Sequence, residues 1–208
     1  MAMTGRAAAE DEVVRPLLDS VLGLAPLIRD RADEAERNHR LSPAVVRALA
    51  EAGVFRMGVP RALGGLEVSP LTFYRIVEEA ARLDGSTGWC VFIGVASALI
   101  GAYLSDEAAE DIFGRDPLVV TAGSVAPVGK ATVCTGGYEV TGRWPYASGC
   151  QHSSWMFGAC HVTEGGQTRL TTAGIPEVRA VWWGQAATTS ASMVCLFRTD
   201  IRGLLARA

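Results

Sequence analysis

Apolar residues recur at helical spacing through the first half of the chain. Between residues 10 and 37 they lie three or four positions apart, which predicts an amphipathic helix divided near Gly23 and Pro26. Two further helices are predicted to begin at Pro43 and Pro70, because each proline follows a serine that can serve as the N-cap. Helices alone are therefore expected over the first 115 residues.

The longest apolar run, residues 89–104, follows Asp84, which is placed to cap a helix. The run is shorter than the roughly 20 residues that cross a bilayer, and Gly94, Ser97 and Gly101 interrupt it. It predicts a buried helix in close contact with its neighbours, and no membrane partner.

The pattern changes at Pro117. Short β-branched and alternating segments bounded by glycine and proline then predict strands at residues 118–125, 131–134, 138–144, 154–162, 168–172 and 178–183. A helical half followed by a β half predicts an α+β fold with segregated layers. The expected boundaries are a helical domain over 1–115, a β-rich domain over 116–183 and a tail of different character over 184–208.

The stretch GGYEVTGRWPYASGCQHSSW, residues 136–155, combines an alternating strand with an irregular loop. Gly142 and Gly149 interrupt the extended chain beside Trp144 and Tyr146. Glycines next to aromatic rings in a strand suggest that the backbone closely approaches a flat partner. This loop is the strongest candidate for a binding site.

A second glycine-rich segment, residues 123–130, adds a hydroxyl at Ser124 to the one at Ser148. Hydroxyls, free backbone amides and a ring that can stack would suit an isoalloxazine, whose edge needs donors and whose faces need apolar cover. The residues alone leave two interpretations open, a flavin site and ordinary strand ends.

Composition and charge narrow the class of protein. The chain has 208 residues, 49% of them hydrophobic and 20% charged, which is a globular composition. A net charge of -3 and a pI near 5.6 provide no electrostatic attraction for nucleic acid or an anionic membrane. The N-terminus carries acidic residues where a secretion signal would be basic and then apolar, so a cytoplasmic location is expected.

The motifs of hydrolytic and metal chemistry are absent from the sequence. It has no GxSxG, HExxH, P-loop or GxGxxG motif. Five cysteines without CxxC spacing and three dispersed histidines indicate reduced thiols and no metal site. Cys150 and His152 lie close in sequence, but no third group is in place to orient them as a nucleophilic pair.

Four segments together resemble the acyl-CoA dehydrogenase superfamily, and specifically its flavin-dependent monooxygenase branch. They are residues 41–70, ARLDGSTGW, GSVAPVGKA and the stretch 136–155, and the likeness runs from about residue 15 to about 182. The family fold implies a helical domain, a middle domain like an antiparallel β-barrel and a C-terminal four-helix bundle. The bundle forms the family's homotetramer, and it is expected to be absent from this chain.

The resemblance also implies roles for individual residues. Tyr146 falls where the family places an aromatic residue beside the flavin ring, and Ser148 falls where a hydroxyl reaches flavin N5, with Gly149 next to it. Ser124 lies near the segment that contacts the pyrimidine side. Trp89 would help to line the substrate cavity, and the implied cofactor is FMN or FAD, reduced by a partner flavin reductase.

Within the family, the form WPYASGCQHSSW is closer to two-component monooxygenases, which oxygenate a small organic substrate with O2 in a dry cavity. An acyl-CoA dehydrogenase is the alternative enzyme, although this chain has Ser124-Val125-Ala126-Pro127 where dehydrogenases usually carry Thr-Glu-Pro. Aromatic hydroxylases of the branch commonly have a histidine that binds a phenolate where this chain has Ser97, which argues against a phenol substrate.

The tail, residues 184–208, matches no part of the family pattern. Its composition suggests a truncated or frame-shifted product. A catalytically inactive or partner-dependent module is therefore the alternative outside enzymes.

Overall fold

The computed structural model describes residues 14–135 and 137–184, together with the backbone of residues 195–197. The predicted tail, residues 184–208, thus falls outside the described residues except for Gly184 and that short backbone segment.

Helices fill the first half of the described chain, as the hydrophobic pattern predicts. They are α1 (14–23), α2 (Ala25–Asp30), α3 (Ala32–Asn38), α4 (Pro43–Glu51), α5 (Pro70–Leu83), α6 (Gly85–Ile100) and α7 (Asp106–Ala109). Short 3₁₀ turns lie at Val54–Arg56, Arg61–Leu63 and Gly101–Tyr103, and one π-helical turn lies at Glu110–Gly114.

The caps explain where the long helices begin. The Ser69 side chain accepts a hydrogen bond from the Thr72 amide at the start of α5. Asp84 accepts one from the Thr87 amide at 2.6 Å at the start of α6. Each acceptor satisfies one of the backbone donors that a helix N-terminus leaves free. The predicted starts of both helices are therefore confirmed.

The helical half has a continuous apolar core. Its fully buried members include Val21, Leu49, Ile76 and Val91, which come from four different helices. Burying each such side chain contributes on the order of 1.5–3 kcal/mol relative to leaving it exposed. Packing of these faces therefore holds the helices together.

A buried arginine ties two connecting segments to each other. The Arg56 guanidinium donates to the carbonyl of Phe113 at 2.8 Å and to the carbonyl of Leu63. Burial lowers the pKa of Arg56, an effect that the charge of Asp116 partly offsets. The two carbonyls satisfy donors that burial would otherwise leave without partners.

The second half forms a six-stranded mixed sheet. Its strands are β1 (Thr121–Cys134), β2 (Gly137–Gly142), β3 (Trp155–Glu164), β4 (Gln167–Thr168), β5 (Val178–Gly184) and β6 (Cys195–Phe197). The order is β4-β3-β1-β2-β6, with β5 also paired to β3. The predicted α+β order is thus confirmed.

The sheet differs from an antiparallel barrel in one pairing. β1 and β3 run parallel, whereas the other pairs of strands are antiparallel, and the sheet is open over the described strands. β2 and β3 lie on opposite sides of β1, so residues 143–154 must cross β1 before the chain enters β3. A tight hairpin cannot join two strands placed in this way.

The core of the sheet is built around Trp144. Its indole donates to the carbonyl of Ala159 at 3.0 Å, and the ring packs against Trp183. A Cβ placed on Gly129, Gly142 or Gly158 would collide with this indole. Three backbone segments can therefore close on one large ring only because these positions lack side chains.

Helix α6 joins the two halves. The Thr121 hydroxyl of β1 donates to the Gly94 carbonyl at 3.0 Å, and both groups are buried. A third apolar cluster combines Ala98 and Phe113 with Phe157 and Trp182 of the sheet. By length and composition, Gly85–Tyr103 could cross a membrane. Here, however, it packs as a core helix against both halves.

Replacement of Gly158 by alanine should test the packing around Trp144. The new methyl would lie 2.5 Å from Trp144 Cε2, so the ring or the strand must shift, and we expect a loss of about 1–3 kcal/mol in the free energy of unfolding. Gly184→Ala is the matched control in the same sheet, because its nearest neighbour would lie at 3.7 Å. Urea denaturation of both variants measures the difference, and equal stability would show that the indole is loosely held.

Candidate functional site

A cavity of about 680 Å³ lies where the helical half meets the loop that follows β2. Three segments form its walls: α3 and the turn after it (residues 32–41), the first turns of α6 (84–90), and the loop 147–152. Two of these walls belong to the segments that sequence analysis singled out, while α3 was not anticipated.

A hydrogen bond joins two of the predicted site residues across this cavity. Trp89 Nε1 on α6 lies 2.9 Å from Ser148 Oγ in the loop. An indole nitrogen can only donate, so the serine oxygen accepts here. The two residues are 59 positions apart, and the structure places both in the cavity lining together with Gly149.

The loop holds Ser148 through a series of tight turns. The Ser148 amide donates to the Tyr146 carbonyl at 2.9 Å, and the Cys150 amide donates to the Ala147 carbonyl at 3.1 Å. The Ala147 side chain is buried in the core of the sheet, which anchors the loop from below. Gly149 has φ +81, a conformation that glycine adopts without strain. The backbone of Ser148 is therefore fixed on both sides.

Tyr146 is the strained residue of this loop. Its φ of 59 is unusual for a residue with a side chain, and its side chain is 95% exposed. It lies outside the residues that line the cavity. Strain of this kind tends to persist where the surrounding structure imposes it, often at sites of function.

Two other predicted site residues lie apart from the cavity lining. Ser124 is half-buried on β1, opposite Gly158 of β3, at the point where the pairing shifts before Gly129. Ser97 is buried on α6, eight residues beyond Trp89. The structure thus brings Trp89, Ser148 and Gly149 together but places Tyr146, Ser124 and Ser97 outside this wall.

The cavity lining includes two half-buried thiols that remain protonated at neutral pH. Burial, with a smaller effect from the charge of Asp84, raises the pKa of Cys90 to about 11. Burial also raises the pKa of Cys150. A thiolate is the nucleophilic form of cysteine, so neither residue is activated for attack. This agrees with the prediction that Cys150 and His152 are not a nucleophilic pair.

His152 also lines the cavity, although the sequence pattern did not mark it as a site residue. Burial lowers the pKa of His152 to about 4, so the imidazole is neutral at pH 7. Its Nδ1 is buried and meets no hydrogen-bond partner among the described residues. His152 lies on a loop, where no hydrophobic periodicity indicates which side chains face a cavity. Its place in the lining is therefore visible only in the fold.

His152 also separates the cavity from a smaller neighbour of about 340 Å³. The two share Arg40, Leu41, Gln151 and His152 as lining residues. The smaller space extends towards Arg47 and Asp116. The linings of the two spaces thus include charged groups as well as neutral ones.

A family model for the acyl-CoA dehydrogenase N-terminal domain matches residues 24–113. The flavin-dependent monooxygenase oxygenase subunit HsaA of Rhodococcus jostii is 40% identical over 138 residues, which cover 64% of this chain and 35% of that protein. HsaA of Mycobacterium tuberculosis is 34% identical over 178 residues, which cover 80% of this chain and 44% of that protein. The chain thus spans less than half the length of these relatives.

Solved structures show the same fold. The HsaA monooxygenase from M. tuberculosis superimposes with a TM-score of 0.74 at 32% identity, covering 82% of this chain and 45% of that one. XiaF from Streptomyces sp., solved with FADH2 and glycerol, gives a TM-score of 0.78 at 23% identity over 98% of this chain and 50% of that one. The second likeness concerns the fold alone.

The buried His152 should make the protein less stable in mild acid. Its pKa is about 4 in the folded chain and near 6.5 when unfolded, so the unfolded state binds the proton more tightly. The neutral imidazole of His152 makes its full contribution to the free energy of unfolding above pH 6.5. As the pH falls towards 4 that contribution is lost, at up to about 1.4 kcal/mol per pH unit. Urea denaturation from pH 7 to 4.5 should show a smaller decline for His152→Gln.

Gln151→Ala serves as the control for that measurement, because it alters the exposed neighbour and keeps the imidazole. It should retain the wild-type pH dependence. Identical pH profiles for the wild type and His152→Gln would contradict the inferred burial of a neutral imidazole.

Proposed function

The chain belongs to the acyl-CoA dehydrogenase superfamily, and from this membership we propose that it carries the helical and β parts of a flavin-dependent monooxygenase. The observation that carries the proposal is the pairing of Trp89 with Ser148 at the wall of a large cavity. The relatives named above as flavin-dependent monooxygenases support the reaction class. They also favour it over an acyl-CoA dehydrogenase.

The residues around Ser148 fit a reduced flavin. Flavins require donors along the ring edge and uncharged cover on their faces. The Ser148 oxygen already accepts from Trp89, which leaves the hydroxyl hydrogen available to donate. Cys90 and Cys150 remain thiols, so no thiolate competes as a nucleophile at the ring.

We assign the following roles to residues of this chain. The Ser148 hydroxyl forms a hydrogen bond with the flavin edge at N5, and the Gly149 backbone permits close approach of the ring. Tyr146, exposed beside them, provides a ring face for stacking, and Ser124 contacts the pyrimidine side. Trp89 lines the substrate cavity, and the buried Ser97 lies further along the same helix. Bound reduced flavin, FMN or FAD, would supply the electrons that activate O2.

Substrate and partners follow from the same proposal. A small organic molecule would occupy the space beside Trp89, where the indole offers an apolar face, and exclusion of water by the bound molecule would favour oxygenation. One relative, from a Rhizobium species, is named as the oxygenase component of an FADH2-dependent resorcinol hydroxylase. A component of this kind needs reduced flavin from elsewhere, so we propose a separate flavin reductase as partner.

The proposal also covers the cellular compartment and the oligomeric state of the protein. Cys90, Cys134, Cys150 and Cys160 are free thiols, which suits a reducing compartment, and we place the protein in the cytoplasm. The homotetramer that the family resemblance implies would require further helical contacts from outside the described residues.

Anaerobic titration of the purified chain with reduced FMN and reduced FAD tests the role of Ser148. We expect Ser148→Ala to raise the flavin dissociation constant about 2- to 10-fold, which corresponds to the loss of one hydrogen bond. Ser154→Ala is the matched control in the same loop, since that hydroxyl bonds the Val120 carbonyl and lies outside the larger cavity. The control should bind flavin like the wild type.

The reaction class is tested by supplying O2 and a flavin reductase. Oxygen-dependent product formation from candidate aromatic substrates would support a monooxygenase. Reduction of bound FAD by an acyl-CoA would instead identify a dehydrogenase. Failure of the wild-type chain to bind either reduced flavin would contradict the proposed site.

A further inference from the structure

We propose that Trp89 is a positioning residue for Ser148: its indole N–H fixes the serine oxygen as an acceptor and thereby directs the hydroxyl hydrogen into the cavity. This inference rests on the proposed flavin site and deepens it. It gives Trp89 a polar role in addition to lining the substrate space.

The chemistry of the two groups limits how they can pair. Indole has one donor and no acceptor, whereas a serine hydroxyl has one hydrogen and two acceptor lone pairs. At 2.9 Å the Trp89 nitrogen can donate only to a Ser148 lone pair. The serine hydrogen must therefore point away from the indole.

The indole is itself held in place by a row of aromatic rings. Trp89 stacks on Phe92 with centroids 5.5 Å apart, and Phe92 stacks on Phe73 at 5.6 Å. Phe73 is buried in the helical core. Trp89 is 53% exposed, so without these ring contacts its side chain could change rotamer in solvent. Stacking on the row of rings restrains it.

The serine is restrained from the other side. Its backbone amide donates to Tyr146, and its neighbour Ala147 is anchored in the sheet core. With both ends of the hydrogen bond fixed, the hydroxyl hydrogen is restricted to directions away from the indole, and Ser148 lines the cavity together with Trp89. An acceptor on the flavin edge placed there, such as a ring carbonyl oxygen, would meet a donor that is already oriented, which avoids the entropy cost of ordering it.

The first experiment measures the bond without any flavin. In the ¹⁵N-labelled full chain, the Trp89 indole N–H resonance is assigned with Trp89→Phe, and its hydrogen exchange is compared in wild type and Ser148→Ala. We expect exchange to become at least several-fold faster in Ser148→Ala, with the Trp155 indole as the internal reference on β3. An unchanged Trp89 exchange rate would overturn the proposal.

The second experiment is a double-mutant cycle on the dissociation constants of reduced FMN and FAD. Trp89→Phe keeps the aromatic face but removes the donor. It should weaken flavin binding about 3- to 10-fold in the wild-type background and have little effect in Ser148→Ala, while Trp155→Phe should change neither. Equal weakening by Trp89→Phe in both backgrounds would overturn the positioning role, because the indole would then act through its face alone.

The two experiments separate the two hypotheses. Flavin binding without coupling between Trp89 and Ser148 would refute the positioning role and leave the flavin site standing. Absence of flavin binding by the wild type would refute the flavin site and the use of the hydroxyl there, while the exchange measurement would still decide whether the hydrogen bond orients Ser148.

Discussion

Burial of helix α6 between the two halves is the constraint on which the rest of the structure depends. Its Val91 and Val95 pack in the helical core, Gly94 accepts the Thr121 hydroxyl of β1, and Ala98 joins the cluster that contains Trp182. The same helix carries Trp89 near its N-terminus, where the residue is exposed. Because one rigid element contacts both cores, the position of Trp89 relative to the loop after β2 is set by packing far from the cavity.

The loop itself depends on a second large ring. Trp144 fills the space left by glycines of β1, β2 and β3, and its indole N–H is satisfied by Ala159. Residues 143–154 must then cross β1, and they do so in tight turns above that ring. The strained backbone at Tyr146 is the local cost of this route. Ser148 is thus presented to the cavity by the packing beneath it.

The sequence pattern could predict the helices and the α+β order, because caps such as Ser69 and Asp84 and the spacing of apolar residues are local signals. It could also single out Trp89 and Ser148 through family resemblance. It could not show that β1 and β3 are parallel, since register depends on contacts between distant segments. Nor could it find α3 as a cavity wall or His152 as a buried neutral group, because neither leaves a periodic signal.

The cavity lining combines charged and neutral groups, and their charge states restrict the chemistry near Ser148. Asp33 and Glu36 on α3 are exposed carboxylates, whereas Cys90 and His152 in the same lining are neutral because burial disfavours their charged forms. Asp84, at the start of α6, also lines the cavity, and its charge helps to keep Cys90 a neutral thiol. The bond to Trp89 matters because Ser148 is only half-buried and Trp89 is 53% exposed, so water competes for the hydroxyl and a fixed donor on its oxygen limits the directions that its hydrogen can take.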